Sequence, residues 1–163
     1  MLQLKASTDY GLRALLYLAA KDATCSSKDI ADDMSIPRDY LIQLAQLLRN
    51  AGLIEARPGK HGGYRLAKDP SDISVLQVMH ALDEGMRQPA KKKRAPSKGG
   101  AMAKGIDQAY DLVGESMDAY LSSLTVKVLL DSASADDDDK KKFLADRLAE
   151  ESRRLSPGKK TQG

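Results

Sequence analysis

The segment that most restricts the fold of this chain is RPGKHGGYRL, residues 57–66. Its proline and glycines separate two short stretches of alternating apolar and polar residues, LIEAR and YRLA, which predict two strands. Because turn signals stand directly between them, the strands are expected to form one antiparallel hairpin with PGKHGG at its tip. A glycine-rich tip could also indicate a nucleotide-binding loop, but the segment lacks the GK[ST] ending and precedes a strand rather than a helix.

Helical periodicity precedes the hairpin. The apolar residues of DYGLRALLYLAA recur every three or four positions and predict a first helix, which Ser7 or Thr8 can cap. A short second helix, KDIADDM, follows, and Ser26 or Ser27 is its candidate cap.

A third helix connects this pair to the hairpin. Pro37 can open it, because proline is tolerated in a first helical turn, and it is expected to run to about Asn50. Gly52 can then end it in the left-handed conformation. The order helix, helix, turn, helix, strand, loop, strand is that of a winged helix-turn-helix, in which the third helix enters the major groove of DNA and the hairpin is the wing.

The second half of the chain is predicted to be helical. Ser74 with Gln77 forms the pattern of a capping box for a fourth helix. Apolar residues predict a long helix over 106–122, and Thr125 can cap a short helix after it. Acids first and bases last predict a final helix over 136–154. The predicted fold is mainly α with a small β-hairpin: a winged helix-turn-helix domain plus a long C-terminal dimerisation helix.

The charge distribution points to a polyphosphate partner. Residues 37–68 hold six Lys and Arg residues against two acids, a net of +4. Residues 69–84 hold four acids and no Lys or Arg, whereas residues 85–106 hold seven Lys and Arg residues and no acid. A local basic surface is what such a partner requires. The KKKR run at 91–94 either adds phosphate contacts or is a solvated linker.

The third helix carries a polar stripe of Arg38, Asp39, Gln43 and Gln46. Arginine and glutamine can pair in two-pronged fashion with the edges of guanine and adenine. A polar stripe is more often merely solvated, and many hairpins carry glycine, so neither feature decides alone. The full order of elements, together with the local positive charge, favours DNA binding.

Three segments resemble one bacterial family. TDYGLRALLYLA at 8–19, YLIQLAQLLRNAGLI at 40–54 and RPGKHGGYRLAKDPSDISV at 57–75 are similar to the Rrf-type transcription regulators. That family includes an iron–sulfur cluster regulator, a nitric-oxide-sensing repressor and a cysteine-metabolism repressor. The similarity covers roughly residues 1–131 and is most specific in residues 1–84. It implies a homodimeric repressor that binds a roughly palindromic, double-stranded operator.

The resemblance and the chemistry of the residues together nominate a DNA-contacting set. It combines the start of the first helix, the third helix and the wing. Its members are Lys5, Arg38, Tyr40, Gln43, Gln46, Arg57, Gly59, Lys60, His61, Gly62 and Gly63.

The long helix is the expected dimer interface. Its apolar stripe needs a partner, either the same helix of a second copy or the chain's own first domain. The family resemblance favours the second copy. The predicted interface residues are Ile106, Tyr110, Val113, Met117, Tyr120, Leu121 and Leu124.

These assignments divide the chain into four parts. Residues 1–84 are the predicted DNA-binding domain, and residues 85–105 are a basic, flexible loop. Residues 106–131 contain the dimerisation helix and a short helix, and residues 132–163 a charged helix and tail.

The chain departs from the family in its cysteines. Cluster-binding members carry three cysteines in the loop after the fourth helix, whereas here that loop reads RQPAKKKRAPSKGGAMAKG. Cys25 is the only cysteine of the chain. Because iron–sulfur ligation needs several thiolates, a cluster at the usual site is excluded, and no cofactor or metal is expected.

Cys25 itself supports two interpretations. In the first it is a redox sensor, whose oxidation changes the pose of the second helix and weakens DNA binding. The N-terminus of that helix, and Lys28 if close, would lower the thiol pKa. In the second it is an ordinary small loop residue.

Other classes of protein have less support. No nucleophile with a base, no paired carboxylates and no P-loop are present, so an enzyme is not expected. The absence of a run of about 18 apolar residues and of a signal peptide predicts a cytoplasmic protein without a membrane partner. A rival interpretation is a winged-helix protein-interaction adaptor that has lost DNA binding. The sequence does not identify the effector.

Overall fold

The computed structural model describes residues 4–85 and 100–155. Residues 86–99, which include the KKKR run, lie outside the described residues, as do residues 156–163. The elements are α1 (Ala6–Lys21), α2 (Ser27–Met34), α3 (Arg38–Asn50), β1 (Ile54–Arg57), β2 (Gly63–Leu66), α4 (Val75–Gly85), α5 (Ala101–Ser123), α6 (Val126–Ser134) and α7 (Asp137–Leu155). The predicted class, mainly helical with one hairpin, is confirmed.

Most of the predicted caps are present. The Asp29 amide donates to the hydroxyl of Ser26 at 3.1 Å, which identifies Ser26 as the cap of α2. At α4, the Ser74 amide donates to Gln77 Oε1 at 3.0 Å and the Gln77 amide donates to Ser74 Oγ at 3.2 Å. This reciprocal pair is the predicted capping box. The hydroxyl of Thr125 accepts from the Val128 amide at 3.2 Å and caps α6.

The predicted cap of α1 is wrong. Lys5 is the N-cap residue, and the Asp9 amide closes the first turn by donating to the Lys5 carbonyl at 3.0 Å. Ser7 and Thr8 lie inside the helix and are buried. Their short polar side chains suggest capping, but this face of the helix packs on the core, so tertiary packing outweighs the local preference.

A proline precedes α3 and a glycine follows it, as the sequence predicts. The sequence predicts Pro37 to be the first residue of the helix, but it is the N-cap residue, and the helix begins at Arg38. After the helix, Gly52 has a φ of 70°, the left-handed conformation expected of it. The amide of Leu53 then donates to the Leu48 carbonyl at 2.9 Å, so the chain turns directly into β1.

The hairpin is antiparallel, with Ile54 opposite Leu66 and Arg57 opposite Gly63. An isolated β-bridge joins Cys25 to Tyr64 on the outer edge of β2. The Cys25 amide donates to the Tyr64 carbonyl at 2.9 Å, and the Tyr64 amide donates to the Cys25 carbonyl at 2.8 Å. β2 is therefore bonded on both sides, and the wing is fixed to the loop before α2.

A single core joins α1 to α2, α3, α4 and α6. Leu15, Leu44 and Val78 are among its fully buried members. The Tyr17 hydroxyl donates to Asp33 Oδ2 at 2.8 Å, which ties α1 to α2 and, with burial, raises the pKa of Tyr17 to about 12.

The C-terminal helices return to this core through a short bridge. The Val75 amide donates to the Leu124 carbonyl, and the Val126 amide donates to the Ile73 carbonyl, both at 2.8 Å. The Val126 side chain is fully buried in the same cluster as α1 and α4. The end of α5 and the start of α6 are thus attached to the segment that follows the wing.

The long helix begins earlier than predicted. α5 starts at Ala101, with Gly100 as its N-cap residue, rather than at 106. A glycine at position 105 favours a loop, but the alanine, methionine and lysine residues before it are good helix formers, so one internal glycine does not stop the helix. In the described ranges 4–85 and 100–155, no helix is long and apolar enough to span a membrane.

Candidate nucleic-acid interface

One face of α3 packs on the core and leaves the other open. Leu41, Leu44 and Leu48 are buried and hold the helix against α1 and α2. Arg38 and Gln43, both predicted to contact DNA, are exposed on the opposite face. Their side chains are positioned to reach a partner without disturbing the core.

Two other predicted residues of α3 are already engaged within the chain. Gln46 donates from Nε2 to Asn50 Oδ1 at 3.1 Å and accepts from Arg49 Nη2 at 3.0 Å. The half-buried ring of Tyr40 packs edge-on against Tyr10, with ring centroids 5.8 Å apart. If Gln46 contacts a base, it must give up its hydrogen bonds to Asn50 and Arg49. Tyr40 packs between α3 and α1 through its contact with Tyr10.

The tip of the wing presents its cations to solvent. Arg57, Lys60 and His61 are exposed, and Gly59 adopts a φ of 112° with open space around it. Such a conformation strongly favours glycine and lets the backbone come close to a neighbouring surface.

Gly62 and Gly63 serve the wing's own backbone. A Cβ on Gly62 would overlap the Arg57 carbonyl oxygen and lie 2.9 Å from that of Gly59. A Cβ on Gly63 would overlap the carbonyl oxygen of Cys25, at the bridge that attaches the wing. The two glycines were nominated for contact with DNA, but close packing within the chain already requires them.

Lys5 lies at the start of α1 in an ion pair with Asp83 of α4, with Nζ 2.8 Å from Oδ1. Both side chains are about half exposed. Exposed pairs contribute roughly 0–1 kcal/mol, so the contact is exchangeable. Breaking this pair would cost little free energy, so it does not conflict with the prediction that Lys5 contacts DNA.

The predicted dimer stripe on α5 divides into two groups. Ile106, Tyr110, Val113 and Met117 are 46–62% exposed in the described part of the chain. Tyr120 and Leu124 are half-buried, and Leu121 is only 8% exposed and belongs to the core. The C-terminal part of the stripe thus packs on its own domain, and the N-terminal part remains open.

Sequence reasoning missed two apolar residues of this helix. Met102 is 80% exposed and lies one turn before Ile106, so it continues the open stripe. The prediction began at 106 and could not include it. Leu112, 62% exposed, lies off the stripe and breaks its periodicity.

Cys25 does not have the environment expected of a sensor. Its side chain is 9% exposed, and Sγ–H donates to the Ala23 carbonyl at 3.6 Å. Burial raises the pKa of the thiol, partly opposed by Lys21 and reinforced by Asp29. The expected lowering of this pKa is wrong, because desolvation of the thiolate outweighs the opposing charge of Lys21.

We therefore expect Cys25 to react several-fold more slowly with an alkylating reagent at neutral pH than cysteine in a short unstructured peptide, because less thiolate is present and access is limited. Mass spectrometry of the modified fraction over time, from pH 7 to 10, measures this rate. The rate should reach its half-maximum at a higher pH than that of the peptide. A rate equal to or above that of the peptide at neutral pH would contradict the burial argument.

The donor set does not fit an iron–sulfur cluster. The chain has one cysteine, and a cluster needs several thiolates or a comparable set of ligands. Among the described residues, no three His, Cys, Asp or Glu side chains are grouped as metal ligands.

Comparison with known proteins agrees with this geometry. Residues 4–132 match the Rrf2 family, described as "Iron-dependent Transcriptional regulator". Two curated relatives, the HTH-type transcriptional regulators NsrR of Shouchella clausii and of Halalkalibacterium halodurans, are each 39% identical over 87 residues. The matches cover 52% of this chain and only 58% and 60% of those two proteins.

Solved structures share the fold over most of the chain. IscR of T. potens is 29% identical, with a TM-score of 0.64, covering 81% of this chain and 88% of that one. CymR of B. subtilis, called a global cysteine regulator, is 31% identical, with a TM-score of 0.56, covering 83% and 100%. The helices and hairpin described above therefore match the winged-helix fold of these regulators. Because the family match extends over most of its length, the chain belongs to the Rrf2 family of transcriptional regulators.

Proposed function

We propose that the chain is a homodimeric repressor that binds a roughly palindromic operator, with α3 in the major groove and the wing along the phosphate backbone. The exposed face of α3, on a helix held rigidly by its buried leucines, carries the proposal. Arg38 supplies a charged fork for guanine, and Gln43 an amide for adenine. Arg57 and Lys60 supply charge for phosphates at the wing.

In this proposal residues 1–84 bind DNA and the open part of α5 joins two copies. A two-fold dimer presents two copies of α3 to two half-sites, so the symmetry of the operator follows that of the protein. The bridge at 73–75 and 124–126 connects the two functions, because it fixes the end of α5 to the DNA-binding domain. The proposed repressor acts without an iron–sulfur cluster, because one cysteine per chain does not supply the ligands that a cluster needs.

Lys60→Ala is expected to weaken binding to all duplexes about equally, because a phosphate contact is independent of sequence. The salt dependence of the affinity should fall by about one ion per half-site. Gln43→Ala should instead relax specificity at one base pair per half-site and leave the salt slope unchanged. Fluorescence anisotropy of full-length protein with selected and scrambled duplexes, over a series of salt concentrations, measures both quantities.

Lys21→Ala is a matched control for Lys60→Ala. It removes a lysine from the C-terminal turn of α1, where Nζ lies 5.4 Å from the ring centroid of Tyr17, and it should leave the salt slope intact. If Lys60→Ala and Lys21→Ala behave alike, the wing makes no phosphate contact. If the unmodified chain binds no duplex in a specific, salt-sensitive manner, the proposal fails and the protein-interaction adaptor takes its place.

A further inference from the structure

We infer that Ile42 reads a thymine in each half-site, by packing its side chain against the 5-methyl group of the base. The inference rests on the proposed function and adds to it a specificity residue that is neither charged nor polar. It starts from Ile42 as the one large apolar side chain on the exposed face of α3, where it does not pack into the core.

Ile42 is 42% exposed, although isoleucine is among the residues most often buried. Among the large apolar side chains described between residues 4 and 83, only Leu4 at the edge of the domain is also exposed. A single exposed isoleucine is common on protein surfaces. Ile42 differs from such residues because it lies on the face of α3 that is proposed to contact DNA.

The geometry of α3 places Ile42 well inside the exposed face. At about 100° per residue, the exposed residues from Arg38 to Asn50 cover an arc of roughly 140°, and Ile42 lies within this arc. It is one turn after Arg38 and one turn before Gln46 on the same side of the helix. Any surface that meets Arg38 and Gln43 must therefore also meet Ile42.

The chemistry of the major groove offers one apolar feature to such a side chain. Each base pair presents hydrogen-bond donors and acceptors there, and thymine alone adds a methyl group. An isoleucine against a polar base edge would remove water from that edge without replacing its hydrogen bonds, which is unfavourable. When the isoleucine side chain packs against the thymine methyl group, both apolar groups are removed from water, which is favourable. The isoleucine therefore selects thymine and disfavours the other bases at its position.

The backbone of α3 also suits this role. Ile42 lies between the buried residues Leu41 and Leu44, so its Cα is held by the core. A β-branched side chain in a helix has one strongly preferred rotamer, so little side-chain freedom is lost on contact. A rigid apolar group at a fixed position discriminates better than a flexible one.

The test begins by selecting bound sequences from a randomised duplex pool with the full-length protein. Unmodified protein should enrich a thymine at one position of each half-site, and Ile42→Ala should lose that preference alone. Replacing this thymine by deoxyuridine removes only the methyl group. We expect this replacement to weaken binding of the unmodified protein about fourfold per half-site, the effect of one buried methyl, and not to change binding of Ile42→Ala.

Gln43→Ala is the matched control, because it alters the adjacent exposed residue without changing the apolar contact. It should retain the full loss on replacement of thymine by deoxyuridine. The inference is overturned if no thymine is enriched, if deoxyuridine binds the unmodified protein equally well, or if Ile42→Ala keeps the methyl dependence. Selection of no specific sequence at all would instead overturn the proposed function, and this inference with it.

Discussion

Replacing Gly63 with alanine should lower the free energy of unfolding by about 3 kcal/mol and abolish operator binding, because the wing could no longer attach to the loop before α2. The new Cβ would overlap the Cys25 carbonyl oxygen and lie 2.5 Å from its carbonyl carbon and 2.9 Å from the Ser26 amide nitrogen. All three neighbours are backbone atoms, so no side-chain rotation can relieve the clash. Urea denaturation followed by circular dichroism gives the change in stability.

Gly59→Ala separates the clash from backbone strain. Gly63 has a φ of 155° and Gly59 a φ of 112°, but at Gly59 no atom of the described residues lies within 4 Å of the position that a Cβ would take. Its substitution should cost only about 1–2 kcal/mol, the strain of an L-residue in that conformation. Equal losses of stability in the two variants would show that strain, rather than the bridge to Cys25, explains the requirement at 63.

Met117→Lys is expected to convert the proposed dimer to a monomer and to reduce operator affinity about 100-fold or more, because two linked half-site contacts become one. Met117 is 46% exposed in the open part of the α5 stripe. The charge would thus enter an apolar interface in the dimer, yet remain solvated in the monomer. Sedimentation velocity gives the oligomeric state, and anisotropy with the selected operator gives the affinity.

Glu115→Lys introduces the same side chain two residues away, on the opposite side of α5. It should remain dimeric, since an exposed Glu there faces solvent. Circular dichroism should show both variants folded, because neither residue belongs to the core. A dimeric Met117→Lys protein would refute the assignment of the open stripe to the dimer interface.

The sequence predicts well those features that depend on neighbouring residues. The capping box of Ser74 and Gln77, the cap at Thr125 and the left-handed Gly52 each involve groups a few positions apart. The hairpin is likewise recognisable because its turn residues and strand alternation are adjacent. Local chemistry is enough for these features, and the winged-helix order follows from them.

The sequence predicts poorly what depends on distant contacts. Ser7 and Thr8 look like caps, and only their burial by other helices shows that they are not. Leu121 fits the apolar stripe of α5 as well as Met117 does, but it is buried in the core of the domain. Burial of Cys25 in the core raises the pKa of its thiol. Periodicity does not report which of several apolar faces finds a partner within the chain.

The bridge between residues 25 and 64 makes positions 25 and 63 differ in the substitutions that they tolerate. Both of its hydrogen bonds join main-chain atoms, so they do not specify which side chain stands at 25. Position 63, by contrast, has no room for a single methyl group. The thiol can therefore be exchanged for another small residue without loss of the wing, whereas Gly63, next to the bridge, cannot be replaced without a clash with the backbone of Cys25.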